Sequence, residues 1–345
     1  MNPERPSVVV AMVAAHNEER AIVGTLHSLL TQRRRPDRIV VAADNCSDRT
    51  AELVASVPGV ILYETQENRA RKAGALNQAW RRYCGDADLV VCIDADTRLD
   101  PGAIAQWEVE FDGDSYLGGS SGRFTVLVDE QMTRRERTLV RLQRAEYARW
   151  IDSVLARGRN TSVLSGTATC FRNDALRQTA AWRQRTRLVP EPAGPWHEGS
   201  AVEDYELTYR LRERGWQTKI SKSVRAYTDG MTNLKSLWAQ RMKWQTGTVD
   251  DLIDFGVNRL TLADWRAQIL GLFMIVLRLG FIGLLLLILM AGGGLRFEPI
   301  WLIPPVIVSA NEVRQALRIP HRRTADVALA ALLLPQELFG CVRMA

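Results

Sequence analysis

The first hundred residues alternate between short apolar runs and longer, more polar stretches. Continuous apolar runs rich in β-branched residues are typical of strands buried on both faces, and amphipathic stretches between them are typical of helices. The pattern predicts strands at 7–14, 38–43, 60–63 and 89–93, and helices at 18–32, 48–56 and 70–83. Strands that alternate with helices predict an α/β fold, with a mostly parallel sheet covered by helices on both faces.

Polar side chains follow three of these predicted strands directly. They are His16, Asn17 and Glu18, then Asp44 and Asn45, and finally Asp94 and Asp96. Ligands of open parallel sheets bind at the carboxyl ends of the strands. We therefore expect these three groups to lie at one edge of the sheet and to form a single site.

The chain changes character near residue 269. Residues 269–290 contain one charge, Arg278, and 22 residues are enough to cross a bilayer core about 30 Å thick. Two weaker apolar segments follow, at 299–310 and at 325–334, the second continuing toward Pro335 and Phe339. Either one could span the bilayer, re-enter it or lie at its surface.

The loop between the two weaker segments is basic and contains Arg314, Arg318, Arg322 and Arg323. Basic loops stay on the cytoplasmic side of a membrane. The sequence therefore predicts a multi-pass protein of the cell (inner) membrane with its soluble part in the cytoplasm. We expect three parts: a cytosolic domain at 1–230, surface helices at 231–265 and a membrane region at 266–345.

The composition limits the cellular compartments and the classes of partner that we expect. The five cysteines form no Cys-x-x-Cys pair, and the first residues do not form a signal peptide, so we expect free thiols in a reducing compartment. The net charge is +6, and basic residues concentrate at 134–150 and 235–244. These patches fit an anionic membrane surface or a phosphate-bearing substrate, or they are solvated helix faces. They lack the aromatic platform of single-strand binders, so no nucleic-acid partner is expected.

Three Asp-x-Asp pairs occur, but only the pair formed by Asp94 and Asp96 leaves the carboxyl end of an apolar strand. Carboxylate oxygens at such a position suit Mg²⁺ or Mn²⁺ shared with substrate phosphates. The alternative is a capped turn in which Asp96 or Thr97 starts the next helix. Taken alone, the pair does not separate these two interpretations.

Seven motifs in order resemble those of family 2 glycosyltransferases with the GT-A fold, in particular the membrane-bound branch of cellulose, chitin and hyaluronan synthases. The resemblance extends over about residues 7–255. The motifs are VAAHNEE (13–19), VVAADNCSDRT (40–50), RKAGALNQA (71–79), DAD (94–96), SGTATCFR (165–172), VEDYELTYRLRERGW (202–216) and QRMKW (240–244). One position departs from the family pattern: Lys243 stands where the last motif has Arg. Lysine keeps the charge but lacks the planar fork that grips phosphate at two points.

The resemblance implies a role for each matching residue. Those implied to bind the nucleotide-sugar donor are Ala15, Glu18, Asp44 (near the base), Lys72 (at the diphosphate) and Asp94. Asp96, with Asp94, is implied to hold the Mg²⁺ or Mn²⁺ ion. Asp204 is implied to be the general base, and Glu203, Gln240, Arg241 and Trp244 are implied to frame the acceptor and the diphosphate. The implied reaction inverts the anomeric carbon by direct displacement.

Elementary chemistry gives the same residues two interpretations. A sugar hydroxyl is a poor nucleophile at neutral pH, so a positioned carboxylate such as Asp204 must take its proton. Asp204 could instead be a simple helix N-cap. Gln240 and Trp244 lie four residues apart and share a helix face, which suits a sugar acceptor but also an amphipathic helix at a membrane surface.

The sequence therefore predicts a membrane-bound, metal-dependent transferase that moves a sugar from a nucleotide-sugar, with a UDP-sugar as the favoured donor, to a carbohydrate or lipid-linked acceptor. A polyprenyl-phosphate glycosyltransferase similar to dolichol-phosphate mannose synthase is the alternative enzyme, and a membrane-anchored sugar-nucleotide sensor is the non-enzymatic one. Two or three membrane segments give few walls for a polymer channel, so assembly into a homo-oligomer would be needed for processive synthesis.

Overall fold

The structure is a computed structural model that describes residues 7–158, 160–186, 194–291, 298–319, 322–332 and 339. The chain divides into two compact units. The first consists of Met1–Thr133 and Trp150–Met231, and the second of Arg134–Arg149 and Thr232–Ala345.

The first unit contains one eight-stranded sheet with the strand order β3-β2-β1-β4-β7-β6-β8-β5. Six of the eight described strands run in the same direction. The two exceptions are β7, which is antiparallel to β4 and β6, and β5, which is antiparallel to β8. The strands are β1 (Val9–Ala15), β2 (Arg38–Ala43), β3 (Ile61–Glu64), β4 (Leu89–Asp94), β5 (Arg98–Leu99), β6 (Leu117–Val126), β7 (Ala168–Arg172) and β8 (Gln217–Thr228). The expected mostly parallel α/β sheet is confirmed.

Helices cover both faces of this sheet. They are α1 (Ile22–Leu30), α2 (Thr50–Ala55), α3 (Arg71–Tyr83), α4 (Ala103–Asp112), α6 (Asn173–Thr186) and α7 (Glu203–Glu213), with α5 (Arg134–Arg157) between β6 and β7 in the chain. Alternate residues of a strand point to opposite faces. In β1, Val9 and Val13 pack into the core beneath α1 and α4, whereas Val10 and Met12 pack into the core beneath α3. This is why the strand reads as a continuous apolar run.

The predicted elements differ from the observed ones mainly at helix starts. The helix predicted from residue 18 begins at Ile22, because residues 16–21 form a turn in which Ala21 and Ile22 donate to the carbonyl of Glu18. The helix predicted from residue 70 begins one residue later, at Arg71. No helix starts at Asp96 or Thr97, since β5 follows them and α4 has Gly102 at its N-cap. The capped-turn interpretation of the Asp94–Asp96 pair is therefore wrong.

The second unit contains residues 134–149 of α5 together with α8 (Leu234–Phe255), α9 (Leu262–Met290), α10 (Ile303–Ala316) and α11 (Thr324–Ala331). Ion pairs join them: Arg141 and Arg144 both reach Asp326, at 3.3 and 3.4 Å, and Arg149 pairs with Glu312. Hydrophobic contacts of Ala148 with residues of α10 and α11 accompany these pairs. Several charged residues in the first half of α5 therefore form ion pairs within this unit, so this part of the helix is not only a solvated face.

Within the described residues, α9 alone is long and apolar enough to cross a membrane. Its 29 residues would span about 43 Å at 1.5 Å per residue, and none of them is buried. The weaker segments predicted at 299–310 and 325–334 contain shorter helices, α10 with 14 residues and α11 with 8. The predictions for residues 333–338 lie outside the described residues.

A buried ion pair holds α6 against α7, the helix whose first turn contains Asp204. The Arg183 guanidinium bonds Glu206 and the carbonyl of Pro195, and both charged side chains are almost inaccessible, at 1% and 3% exposure. Glu206 also accepts from Arg210 at 3.0 Å. Since burial of an unpaired charge is costly, loss of one partner should lower the free energy of unfolding.

We expect Arg183→Met to lower the free energy of unfolding by about 3–5 kcal/mol, because it leaves Glu206 buried with less compensation. The matched control is Arg177→Met on the same helix, whose pair with Asp174 is exposed; we expect a change of at most about 1 kcal/mol there. Urea unfolding of the detergent-purified full chain measures both. Equal losses in the two variants would contradict this account of α7.

Candidate functional site

The carboxyl ends of β1, β2 and β4 meet at one edge of the sheet in the first unit, as the sequence led us to expect. The carboxyl end of β8, which was not predicted, lies at the same edge. Glu18 follows β1, Asp44 follows β2, Asp94 ends β4 and Asp96 follows it. The amino end of β7 arrives at the same edge, because β7 runs antiparallel to β4 and pairs Ala168 with Ile93.

The residues just before β7 connect Asp94 with Asp204. The amide of Asp94 donates to the carbonyl of Thr167 at 3.0 Å, and the amide of Gly166 donates to Asp204 Oδ2, also at 3.0 Å. Asp204 is the second residue of α7, while Val202 occupies the N-cap position. The interpretation of Asp204 as the N-cap is therefore wrong, and its carboxylate is turned toward β7.

Lys72, in the first turn of α3, lies among these carboxylates. Its ammonium group bonds Asp94 Oδ1 and lies 3.6 Å from Glu203 Oε1, and it donates to the carbonyl of Gly166 at 3.3 Å. Burial by itself would lower the pKa of Lys72, but the charges of Asp94 and Glu203 outweigh burial and raise it above its ordinary value. Lys72 is therefore a fixed positive charge in this site.

Gly166 occupies a position that a side chain would disturb. A Cβ added at Gly166 would lie 2.9 Å from Lys72 Nζ and 3.5 Å from Asp204 Oδ2. The close approach of the chain to both groups therefore requires glycine here. The quoted SGTATCFR motif contains this residue, but sequence reasoning did not single it out.

Burial raises the pKa of Asp204 to about 6, and the negative charge of Glu203 adds to this increase. Lys72 and the amide groups of Gly166 and Tyr205 act in the opposite direction, since they favour the ionised form. A carboxylate whose pKa lies closer to neutrality is a stronger base and is still ionised at pH 7. The local environment of Asp204 thus suits proton removal from a hydroxyl.

On the other side of Asp94 the site has an excess of negative charge. Burial raises the pKa of Glu18 to about 7 and that of Asp96 to about 6, and each effect is increased by neighbouring carboxylates, with Asp94 and Asp229 acting on both. Asp96 Oδ1 accepts from Thr228 and Thr97, both at 3.2 Å. Sequence reasoning missed Asp229, although its position directly after β8 is the same signal that marks the other acids.

This donor set fits a divalent cation that is completed by a ligand. No group of three His, Cys, Asp or Glu side chains able to hold a metal by itself occurs in the described part of the chain. Mg²⁺ usually binds through one or two carboxylates together with phosphate oxygens and water. Asp94 and Asp96 supply such a pair, and the raised pKa values of Glu18 and Asp96 show negative charge that a cation would neutralise.

A further group of polar residues lies around Asp44, which is 6% exposed, and its contact with a nucleoside stays a prediction. Its amide donates to the carbonyl of Ala15 at 2.8 Å, and its carbonyl accepts from His16 Nδ1 at 2.6 Å. Ala15 is itself buried at the end of β1, so it contributes backbone rather than side chain to this contact. The structure therefore brings Ala15 and Asp44 together, beside the loop that contains Glu18.

The last motif lies in the second unit, on α8. Arg241 is 7% exposed, and its guanidinium donates to Glu146 at 2.7 Å and to Gln240 at 2.9 Å. The guanidinium also stacks over the rings of Trp244 and Tyr147, at 4.5 and 5.2 Å from their centroids. Trp244 remains 40% exposed. Within this unit, Arg241 thus holds Trp244 in place, and its contact with a diphosphate stays a prediction.

Residues 6–247, more than half of the chain, match the family model described as "Glycosyltransferase like family 2". A poly-beta-1,6-N-acetyl-D-glucosamine synthase of Staphylococcus aureus (strain COL) is 28% identical over 255 residues, which are 72% of this chain and 56% of the relative. The Staphylococcus epidermidis protein of the same description is 26% identical over 244 residues, which are 68% and 53% of the two chains. The chain thus spans about half the length of the curated relatives it matches.

Among solved structures, the mannosyltransferase PcManGT from Pyrobaculum calidifontis, in complex with GDP-Man and Mn²⁺, is similar with a TM-score of 0.57. The match covers 98% of this chain and 88% of that one, at 17% sequence identity. This likeness supports the shared fold.

Mutual repulsion among the carboxylates around Asp96 should affect the stability of the metal-free protein. Because the folded state raises the pKa of Asp96 to about 6, it binds the proton more tightly than the unfolded state does, and stability falls as pH rises from about 4 to 6. In EDTA at pH 8 we expect Asp96→Asn to raise the thermal midpoint by a few degrees. The difference should vanish near pH 4.

The control for this experiment is Asp112→Asn, which changes an exposed carboxylate in the same unit. It should leave the midpoint unchanged at both pH values. If Asp96→Asn lowered the midpoint at pH 8, the carboxylates would not be repelling one another as described.

Proposed function

Since the chain belongs to the glycosyltransferase-like family 2, we propose that it is a membrane-bound, metal-dependent, inverting glycosyltransferase. It moves a sugar from a nucleotide-sugar, a UDP-sugar, to a carbohydrate or lipid-linked acceptor. The observation that supports this most directly is that Lys72 and Asp204 both bond Gly166 in the first unit, while Lys72 also bonds Asp94. It puts one base and one fixed cation beside the Asp-x-Asp pair.

Each protein group has a task in this reaction. Asp204 takes the proton of the acceptor hydroxyl while that oxygen attacks the anomeric carbon and the nucleoside diphosphate leaves. Lys72 faces the negative charge that grows on the leaving diphosphate. Asp94 and Asp96 would hold the Mg²⁺ or Mn²⁺ ion, which supplies further positive charge for the leaving group.

The rest of the chain would bring this chemistry to a membrane. We propose residues 1–230 as the transferase domain, 231–265 as surface helices and 266–345 as a multi-pass membrane region, with the transferase domain in the cytoplasm. The apolar helix α9, none of whose residues is buried, supports a membrane location. Gln240 and Trp244 are proposed to face the acceptor, and synthesis of a polysaccharide is the proposed outcome, by analogy with the named staphylococcal relatives.

We expect Asp204→Asn to lower the transfer rate by about 10²–10⁴-fold, because the amide cannot accept the hydroxyl proton. Nucleotide binding should be kept. The wild-type rate should also fall below about pH 6, where the carboxylate becomes protonated. The release of nucleoside diphosphate during transfer measures both effects.

A matched control is Asp174→Asn, since Asp174 is the second residue of α6 as Asp204 is of α7. It should leave the rate within about twofold of wild type, as surface changes usually do. An Asp204→Asn protein with wild-type turnover would refute the assignment of the base, and binding without turnover in the wild type would favour a sensor.

The metal is tested by turnover with Mn²⁺ against EDTA, over a panel of UDP-, GDP- and TDP-sugars. We expect release from one donor in Mn²⁺, and we expect Asp96→Ala to abolish it while the protein stays folded, because one of two carboxylate ligands is lost. Acceptor panels of oligosaccharide and polyprenyl phosphate separate the two enzyme classes. Full activity of Asp96→Ala would remove Asp96 from the metal site.

A further inference from the structure

The carboxylate of Asp44 is held in an asymmetric way. Its Oδ1 accepts three hydrogen bonds, from Thr65 Oγ1 at 2.9 Å, Asn68 Nδ2 at 2.8 Å and Asn45 Nδ2 at 3.0 Å. Its Oδ2 accepts none from the described residues. One oxygen of the carboxylate is thus saturated by protein donors, and the other is available to a ligand.

The orientation of Asn68 in this network is determined by its other contacts. Its Nδ2 also donates to the carbonyl of Arg71 at 2.7 Å, while its Oδ1 accepts from the amide of Ala70 at 3.0 Å. A flipped amide would place oxygen against oxygen and N–H against N–H. Its Oδ1 also lies 2.0 Å from where a Cβ at Gly74 would be, so glycine at the start of α3 leaves room for it. Asn68 is therefore a fixed donor to Asp44 Oδ1.

This asymmetry restricts the base that Asp44 can recognise. Uracil and thymine present one N–H, at N3, and a single free carboxylate oxygen satisfies it. Guanine presents two neighbouring donors, N1–H and N2–H, which need both oxygens of a carboxylate. Cytosine has an unprotonated N3, whose lone pair would face Oδ2. A polar group left unpaired in a nearly buried site weakens binding, because the free energy of its desolvation is not recovered by a hydrogen bond.

We propose that Thr65 and Asn68, by saturating Asp44 Oδ1, make the site selective for nucleoside diphosphates of uracil or thymine over those of guanine or cytosine. This inference rests on the proposed function, in which Asp44 faces the base of the donor. Thr65 and Asn68 act through Asp44 and are positioning residues. Asp44 is the group that contacts the nucleotide.

The same geometry predicts a reversal of preference in Asp44→Asn. The three donors around Oδ1 fix the amide oxygen of the new side chain on their side, so its NH₂ group takes the place of Oδ2. The site then presents a donor where it presented an acceptor. Cytosine N3 accepts from that donor, whereas uracil N3–H opposes it, so CDP should bind more tightly than UDP.

The test is isothermal titration of the detergent-purified full chain with UDP, CDP and GDP in Mn²⁺. In the wild type we expect UDP to bind at least about tenfold more tightly than CDP or GDP, the usual effect of one unpaired buried polar group. In Asp44→Asn the order of UDP and CDP should reverse. Gln66→Ala is the control, because Gln66 is exposed in the same loop and its side chain bonds the carbonyl of Glu64; its selectivity should equal that of wild type.

A second variant covers the case in which Asp44→Asn does not fold. The double variant Thr65→Val/Asn68→Ala removes two of the three donors and leaves only Asn45 on Oδ1. This oxygen can then accept from a base as well, and the UDP-to-GDP selectivity should narrow. A merely structural role would instead weaken all nucleotides by the same factor. Such a uniform loss in either variant, or wild-type binding of GDP as tight as that of UDP, would overturn the selectivity. A wild type that binds none of the three nucleotides would overturn the proposed function itself.

Discussion

The pairing of one lysine with several carboxylates is the interaction on which the candidate site depends. Lys72 contacts Asp94 and lies close to Glu203, and its charge also acts on Asp204. Partly buried carboxylates repel one another and lose solvation, so they gather only around a compensating cation. The ammonium of Lys72 provides that compensation for β4 and α7 together. This requires the chain at Gly166 to pass close to it without a side chain.

The compensation by Lys72 is local, and this divides the site into two regions of different charge. Around Asp204, the charge of Lys72 opposes the effects of burial and of Glu203 on the pKa of the carboxyl group. Around Glu18 and Asp96, burial raises the pKa of both groups, and neighbouring carboxylates add to this increase. A proton donor to the base and a cation shared with a diphosphate could thus meet at Asp94. In the proposed reaction, one sheet edge would then serve both halves of the displacement.

Backbone strain is concentrated near Asp44. Four residues in the neighbouring loops and at the start of α3 have positive φ without being glycine: Asn17 (57°), Asn45 (48°), Glu67 (47°) and Arg71 (52°). The left-handed conformation costs a residue with a side chain about 1–2 kcal/mol. Strain of this kind persists where surrounding contacts determine the conformation, and it concentrates at ligand sites. The asparagines tolerate it best, and Asn45 donates both to Asp44 and to the carbonyl of Asn68.

The sequence by itself determined the local elements and which acids follow a strand. The apolar runs of β1, β2 and β4 and the acids after them were readable because strands and their exits follow from periodicity and neighbouring residues alone. The tertiary structure decided what no local pattern contains: that β7 enters the sheet antiparallel, that Gly166 thereby joins Lys72 to Asp204, and that Asp229 comes to the same edge. It also decided that Arg241 is paired with Glu146 and that one oxygen of Asp44 is already occupied. These contacts join residues between about 20 and 130 positions apart, with donors and acceptors that many other partners could have satisfied, so only the packed chain selects among them.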